Sequence, residues 1–230
     1  MFNLASVAAN ARDYDAAIAA FDYLIGDIGK QSPYYLDARK EKLNVMRQKV
    51  TRGRANNQAE IDTLQVAYKR FIDEVGRNAR SADILADWAE LEALYRNNVD
   101  GAVKLLEDIV KLPSVDRFVL NNAKLDLGDY YLIRGDIWDA SLLYSQVDKE
   151  FREDYLGEIA RYKNAKLSYF NGDFEWAQAQ FDILKSATSR LISNDAIDQS
   201  VFIMDNLGLD TTAIPLQMYA RAELLAFQNK

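Results

Sequence analysis

A short pattern recurs along this chain at a near-constant interval, and that recurrence restricts the fold more than any single residue does. Gly135-Asp136-Ile137-Trp138-Asp139-Ala140, followed by Tyr144, returns 37 residues later as Gly172-Asp173-Phe174-Glu175-Trp176-Ala177, followed by Phe181. Asn97-Asn98-Val99-Asp100-Gly101-Ala102, then Leu106, lies 38 residues before the first of these, and Arg12-Asp13-Tyr14-Asp15-Ala16-Ala17, then Phe21, is a fourth copy. The shared template is a turn residue, Asp or Asn, a large apolar residue, two variable positions, Ala, and a large apolar residue four further on. Each part has a mechanical reading. The turn residue ends one helix, and Asp or Asn caps the next. Ala lets two helices approach closely, and Ala with its i+4 partner shares one helical face. Fixed-period similarity of this length is the mark of a stacked helical repeat, in which each unit buries its apolar face against its neighbours.

Leu127-Gly128-x-x-Tyr131, followed by Gly135, Ala140 and Tyr144, resembles the tetratricopeptide repeat. Lys124 stands where that family has Trp, and Arg152 stands near its usual Pro. Pro113 does sit near the Pro position of the Ala102 copy. The other copies keep the Ala and its apolar partner and lose Leu-Gly-x-x-Tyr. The resemblance implies an all-α, right-handed α-α superhelix. In this family the first helix of each hairpin lines a concave groove that receives a peptide or a partner's surface.

Taken in order, the chain reads as one repeat domain over 1–230, with twelve helices in six antiparallel hairpins. The expected repeats are 1–30, a diverged long repeat at 33–78, then 81–112, 115–151, 153–190, and an irregular or truncated repeat at 193–230. Within them, helices are expected from Phe2 to Ala11, Tyr14 to Ile28, Tyr34 to Arg52 and Gln58 to Val75. Ser81 to Arg96, Val99 to Leu112, Val115 to Arg134, Ile137 to Phe151, Asp154 to Phe170 and Phe174 to Thr188 follow. Asn194-Asp195 is expected to cap a helix running to Leu207. Gly208–Thr212 reads as a turn, and Ala213 to Gln228 as the last helix. The first helix is short for its kind, and Asn229-Lys230 falls at the template's turn position, so both ends read as cuts through a longer array.

Composition excludes several chemistries. The chain has no His and no Cys, so a histidine base, a thiolate nucleophile, a disulfide and a His/Cys zinc site are excluded. Its net charge of -7 argues against general affinity for nucleic-acid phosphates. No apolar run approaches the ~20 residues that span a bilayer. Acidic pairs such as Asp83 with Asp87, Asp195 with Asp198, and Glu150 with Glu153 and Asp154 read as helix-surface charges rather than as a metal site. Phosphate-cradling glycine loops and calcium loops are absent. No cofactor and no catalytic residue is expected, and the chain does not read as an enzyme.

Two features remain as candidates for function. One is the basic run Arg39, Lys40, Lys42, Arg47, Lys49, Arg52 and Arg54. It would either dock an acidic partner or anionic surface, or form a charged face balanced by the acidic remainder. The other is the groove that the family resemblance implies. Transferring helix positions places Asn122, Leu125, Asp129 and Leu132 on it from one repeat, and Ile159, Tyr162, Lys166 and Tyr169 from the next. Asn122, Asp129, Tyr162, Lys166 and Tyr169 are the expected partner contacts, their mixture suiting an adaptable polypeptide surface. The dense aromatics Tyr130, Tyr131, Tyr144, Tyr155, Tyr162, Tyr169, Phe170, Phe174 and Trp176 are expected to be mostly inter-helix core. The resulting expectation is a scaffold that binds a protein or peptide. A pocket-bearing ligand-binding protein or enzyme, and a spacer that self-associates end to end, are the alternatives. Similar sequences with long acidic repeat arrays are often from Gram-negative bacteria, many of them envelope proteins, so the resemblance leaves the compartment open and favours the envelope slightly over the cytoplasm.

Overall fold

The computed structural model describes residues 2–52, 57–207 and 213–228. The expected turn at 53–56, Arg54 of the basic run, the turn at 208–212 and residues 229–230 lie outside the described residues. The helices are α1 (Phe2–Asn10), α2 (Tyr14–Ile28), α3 (Tyr35–Arg52), α4 (Gln58–Val75), α5 (Ala82–Glu90) and α6 (Val99–Lys111). They continue with α7 (Arg117–Arg134), α8 (Ile137–Glu150), α9 (Tyr155–Phe170), α10 (Phe174–Leu184), α11 (Arg190–Leu207) and α12 (Ile214–Phe227). A 3-10 turn, Ala79–Ser81, leads into α5, and a π turn, Leu91–Tyr95, continues it. There is no strand among the described residues. The chain is all-α, and consecutive helices pack on one another as in a helical-repeat solenoid. It divides into two compact units, Met1–Asn98 and Val99–Lys230.

The repeat template is visible in the backbone. Its four turn positions, Arg12, Asn97, Gly135 and Gly172, all have positive φ: 65°, 52°, 101° and 87°. Gly135 closes α7 in a left-handed cap, its N–H donating to the carbonyls of Tyr131 and Leu132. The four template alanines, Ala17, Ala102, Ala140 and Ala177, are each 0% exposed. Their i+4 partners Phe21, Leu106, Tyr144 and Phe181 are buried as well. Of the template's acids, Asp13 caps its helix by accepting from the Ala16 N–H. Asp136 and Asp173 make no such bond.

In the unit formed by residues 1–98, Ala5, Ala17, Phe21 and Val45 form one core cluster. The expected α4 stripe Ile61, Leu64, Tyr68, Phe71 and Ile72 is buried, while Val75 is half-buried. Helix α3 packs more extensively on α2 than on α4, which fits the missing alanine signature there. Its basic run is held by carboxylates from both sides. Arg39 pairs with Glu74, Lys40 with Asp83 at 2.7 Å, and Lys42 with Asp22 at 2.5 Å. Arg47 reaches Asp87 and Glu90, and Lys49 reaches Asp15 and Glu60. Of the two alternatives for this run, the structure favours the balanced one: these cations are engaged within the fold. The π turn sets Glu92, 4% exposed, where it accepts from Gln65 Nε2, Trp88 Nε1 and Asn98 Nδ2. Those donors offset the cost of burying its charge.

The unit formed by residues 99–230 has a core around Tyr169, Phe174, Phe181, Ile203 and Leu216, and a second cluster around Leu132, Tyr144, Val147 and Phe151. Several helix limits differ from expectation. Helix α10 stops at Leu184 rather than Thr188, and α11 begins at Arg190 rather than near Asn194. The buried Glu158 of α9 takes the backbone N–H groups of Thr188 and Ser189, at 2.6 and 3.2 Å, and the Thr188 hydroxyl at 2.8 Å. That carboxylate claims donors at the start of α11 from a helix thirty residues away. Likewise α7 starts at Arg117, because Asp116 caps it by accepting from Phe118 N–H and Val119 N–H. The aromatics divide. Tyr130, Tyr144, Tyr169 and Phe174 are buried, Tyr131, Tyr162 and Phe170 half-buried, and Tyr155 and Trp176 exposed.

Candidate protein-interaction site

Helices α7 and α9 supply the expected partner contacts, and their placement is uneven. Asn122 is exposed, its amide turned back to donate to the Phe118 carbonyl at 2.8 Å. Asp129 is a bolt between helices: Lys163 Nζ reaches both its oxygens at 2.7 Å, and the Tyr144 hydroxyl donates to it at 2.7 Å. Tyr162 is half-buried against Phe181, with ring centroids 5.5 Å apart. Lys166 donates to Gln199 of α11 at 3.1 Å and stands 3.8 Å from Glu223 of α12. Tyr169 is fully buried between Phe170 and Phe174. The structure therefore groups Tyr162, Lys166 and Tyr169, and leaves Asn122 apart from them.

What covers Lys166 and Tyr169 is helix α12. Helix α12 packs on α9 more than on its sequence neighbour α11. Leu216 and Ala220, both buried, join the Tyr169–Phe174 cluster. Leu224 packs against the cluster that contains Leu125, Leu132 and Tyr144. At one end Gln217 lies against the Gly172 turn, and at the other Gln228 Nε2 donates to the Leu132 carbonyl of α7 at 2.8 Å. The stripe 216, 217, 220, 223, 224 and 228 is one helical face, laid across α9 and reaching the end of α7. A helix of this chain thus lies on the α7/α9 face that the resemblance marks for a partner.

The electrostatics of this contact turn on Glu223. Burial lowers the Lys166 pKa below the ordinary lysine range, with Glu223 opposing that effect. Burial pushes the Tyr162 phenol up to about 12, helped by Asp195, Glu223 and Asp198. Burial, with the Glu223 charge beside it, raises Tyr169 further still. The Tyr169 hydroxyl is buried, and Glu223 of α12 is the hydrogen-bonding group that faces it. Two leucines contribute about 1.5–3 kcal/mol each at full burial, and Leu224 is only half-buried.

Sequence reasoning missed three features. Glu158 and Glu92 are carboxylates whose donors lie far along the chain or on a π turn, so no local signal marks them. The third is a trough of about 420 Å³ between α8, α9 and α10, on the side of α9 away from Lys166. Trp138 and Trp176 line it, 86% and 64% exposed. Their positions in the template could have flagged them, because both fill variable slots that need no large side chain. No group of three or more acidic side chains that would hold a metal ion is present among the described residues. No described helix is long and apolar enough to cross a membrane.

No protein-family model matches the chain, and a comparison with curated proteins finds no match.

Proposed function

We propose that this protein is a tetratricopeptide-like interaction module whose α7/α9 face receives a helical segment of a protein partner. The observation behind the reading is α12: a helix already rests on that face, by a stripe of leucine, alanine and glutamate, with Glu223 beside Lys166. Helix-in-groove recognition uses anchors at this spacing. Lys166 and Tyr169 lie beneath α12, with Tyr162 a turn away against Phe181, and exchange of α12 for a partner's helix would open this surface.

The test uses the full chain with α12 loosened by Leu216→Asp and Leu224→Asp. A labelled peptide of residues 213–228 is added in trans and followed by fluorescence anisotropy. Saturable binding to the loosened chain, weakened by Lys166→Glu and restored by Glu223→Lys in the peptide, is expected. A peptide indifferent to Lys166 defeats the proposal.

A second reading has one observation in its favour. Helix α11 leaves Leu191, Ile197, Val201 and Met204 exposed along one side, which suits association between copies. Sedimentation at rising concentration tests it, and an unchanging monomer mass discards it.

A further inference from the structure

The trough on the other side of α9 is independent of the interaction just described. Its apolar elements are Trp138, Trp176, Ile137 and Leu167. Between them stand Ser141, Ser145, Asn164, Ser168, Asn171 and Gln180. Tryptophan is usually among the more buried residues, and this chain shows the contrast. Trp88 is half-buried and donates its indole N–H to Glu92 at 3.0 Å. Neither Trp138 nor Trp176 has an aromatic partner or a hydrogen bond through its indole among the described residues. Nor does the repeat need them. In the other copies the slot of Trp138 holds Asp15, Asp100 or Glu175, and the slot of Trp176 holds Ala16, Gly101 or Asp139. Two bare indoles at dispensable positions converge on one hollow.

The polar lining defines the chemistry that fits. It is made of hydroxyls and amides, which both donate and accept. Ser141 donates to Asn164 Oδ1 at 3.2 Å, Asn164 Nδ2 to Ser145 Oγ at 3.2 Å, and Gln180 Nε2 to Ser168 Oγ at 3.0 Å. These short chains hold the side chains ready and leave further donor and acceptor sites open. No Lys or Arg lines the trough, which disfavours phosphates and carboxylates. Its two carboxylates are engaged, Asp148 by Arg161 at 2.6 Å and Asp173 by Asn171 at 2.7 Å, which disfavours a cation. A ligand with apolar C–H faces for the indoles and neutral hydroxyls for the amides satisfies every wall. The volume falls in the usual range for small-molecule sites, roughly 300–1,000 Å³.

We infer that the trough between α8, α9 and α10 is a binding site for a short neutral oligosaccharide, clasped by Trp138 and Trp176 and hydrogen-bonded by Asn164, Ser168 and Gln180. Sugar rings stack their C–H faces on the indoles, as apolar surface on apolar surface.

The experiment is a screen of the full chain on an array of neutral glycans, with hexaoses of glucose, N-acetylglucosamine and mannose then titrated against intrinsic tryptophan fluorescence. Expected is saturable binding with a blue shift, reduced about tenfold or more by Trp138→Ala and by Trp176→Ala. Both residues are exposed, so thermal melts of these variants should match the parent, and Asn164→Ala gives a second, milder loss. No glycan retained above the level of the double tryptophan variant overturns the inference. So does binding indifferent to both substitutions, and so does a random peptide library retained through the two tryptophans while glycans are not.

Discussion

Gly128→Ala is a one-methyl change with a calculable outcome. Gly128 lies mid-helix in α7, facing α8. A Cβ built there would sit 2.4 Å from Tyr144 Cε1, 2.9 Å from Cζ and 3.0 Å from Cδ1. Ordinary carbon contacts are about 3.5–4.0 Å, so the ring must retreat by roughly 1 Å or more. It has nowhere to go: Tyr144 is 1% exposed, and its hydroxyl is tied to Asp129, which Lys163 also grips. Overpacking costs about 1–3 kcal/mol, and straining a hydrogen bond to a charged acceptor about 1.5–3 kcal/mol more. Against this, Ala is the better helix former by about 0.5–1 kcal/mol. The net expectation is a loss of about 1.5–5.5 kcal/mol. Urea denaturation followed by circular dichroism measures it. Gly128→Ala combined with Tyr144→Leu should cost less than the two single losses summed, since the second change empties the space the methyl needs. A Gly128→Ala protein as stable as the parent would refute the close approach of α7 and α8, and with it the alanine-and-glycine clasp of the repeat.

Three further outcomes are expected. Gly135→Ala meets no atom within 4 Å, so its cost is only that of holding Ala at φ 101°, about 1–2 kcal/mol; a loss as large as that of Gly128→Ala would point to a clash the backbone does not show. Glu158 is opposed by burial, but the bonds from Thr188 and Ser189 outweigh it and hold its pKa below the usual 4.5. Its contribution is therefore present above pH 4.5 and lost as pH falls through the depressed value. Glu158→Gln should remove that acid-side loss and cost about 1.5–3 kcal/mol at neutral pH, read from melts across pH. Asp87 has its pKa raised to about 6 by burial, with Glu90 and Asp83 adding to it against Arg47 and Lys40. Its stabilising form is the protonated one, complete below 3.8 and lost as pH rises through 6, so Asp87→Asn should flatten stability over that window in the same assay.

What the sequence disclosed and what it hid follow from distance along the chain. Ala17, Ala102, Ala140 and Ala177 were legible because a clasped helix pair writes its contacts at i and i+4, within one short window. The turn positions were legible for the same reason, even at Arg12, where no glycine advertises the left-handed backbone. The partners of α3 were not, since its lysines and arginines find carboxylates 11–43 residues away. A list of charges does not say which will meet. The start of α11 was missed because Glu158, on another helix, sets it. The seat of α12 was hidden most deeply. Its stripe is that of any half-buried helix, and nothing local says that α9 rather than α11 lies beneath it.

The inward residues of α12 have a use beyond this molecule. Leu216, Ala220, Glu223 and Leu224 spell an order: a bulky aliphatic, a methyl-sized residue four places on, then an acid beside a second aliphatic. A bulkier residue at the second place would prop the helix away from the point where Ala220 reaches 0% exposure. Rival segments can therefore be shortlisted by searching proteomes for that spelling, with the protein serving as its own query.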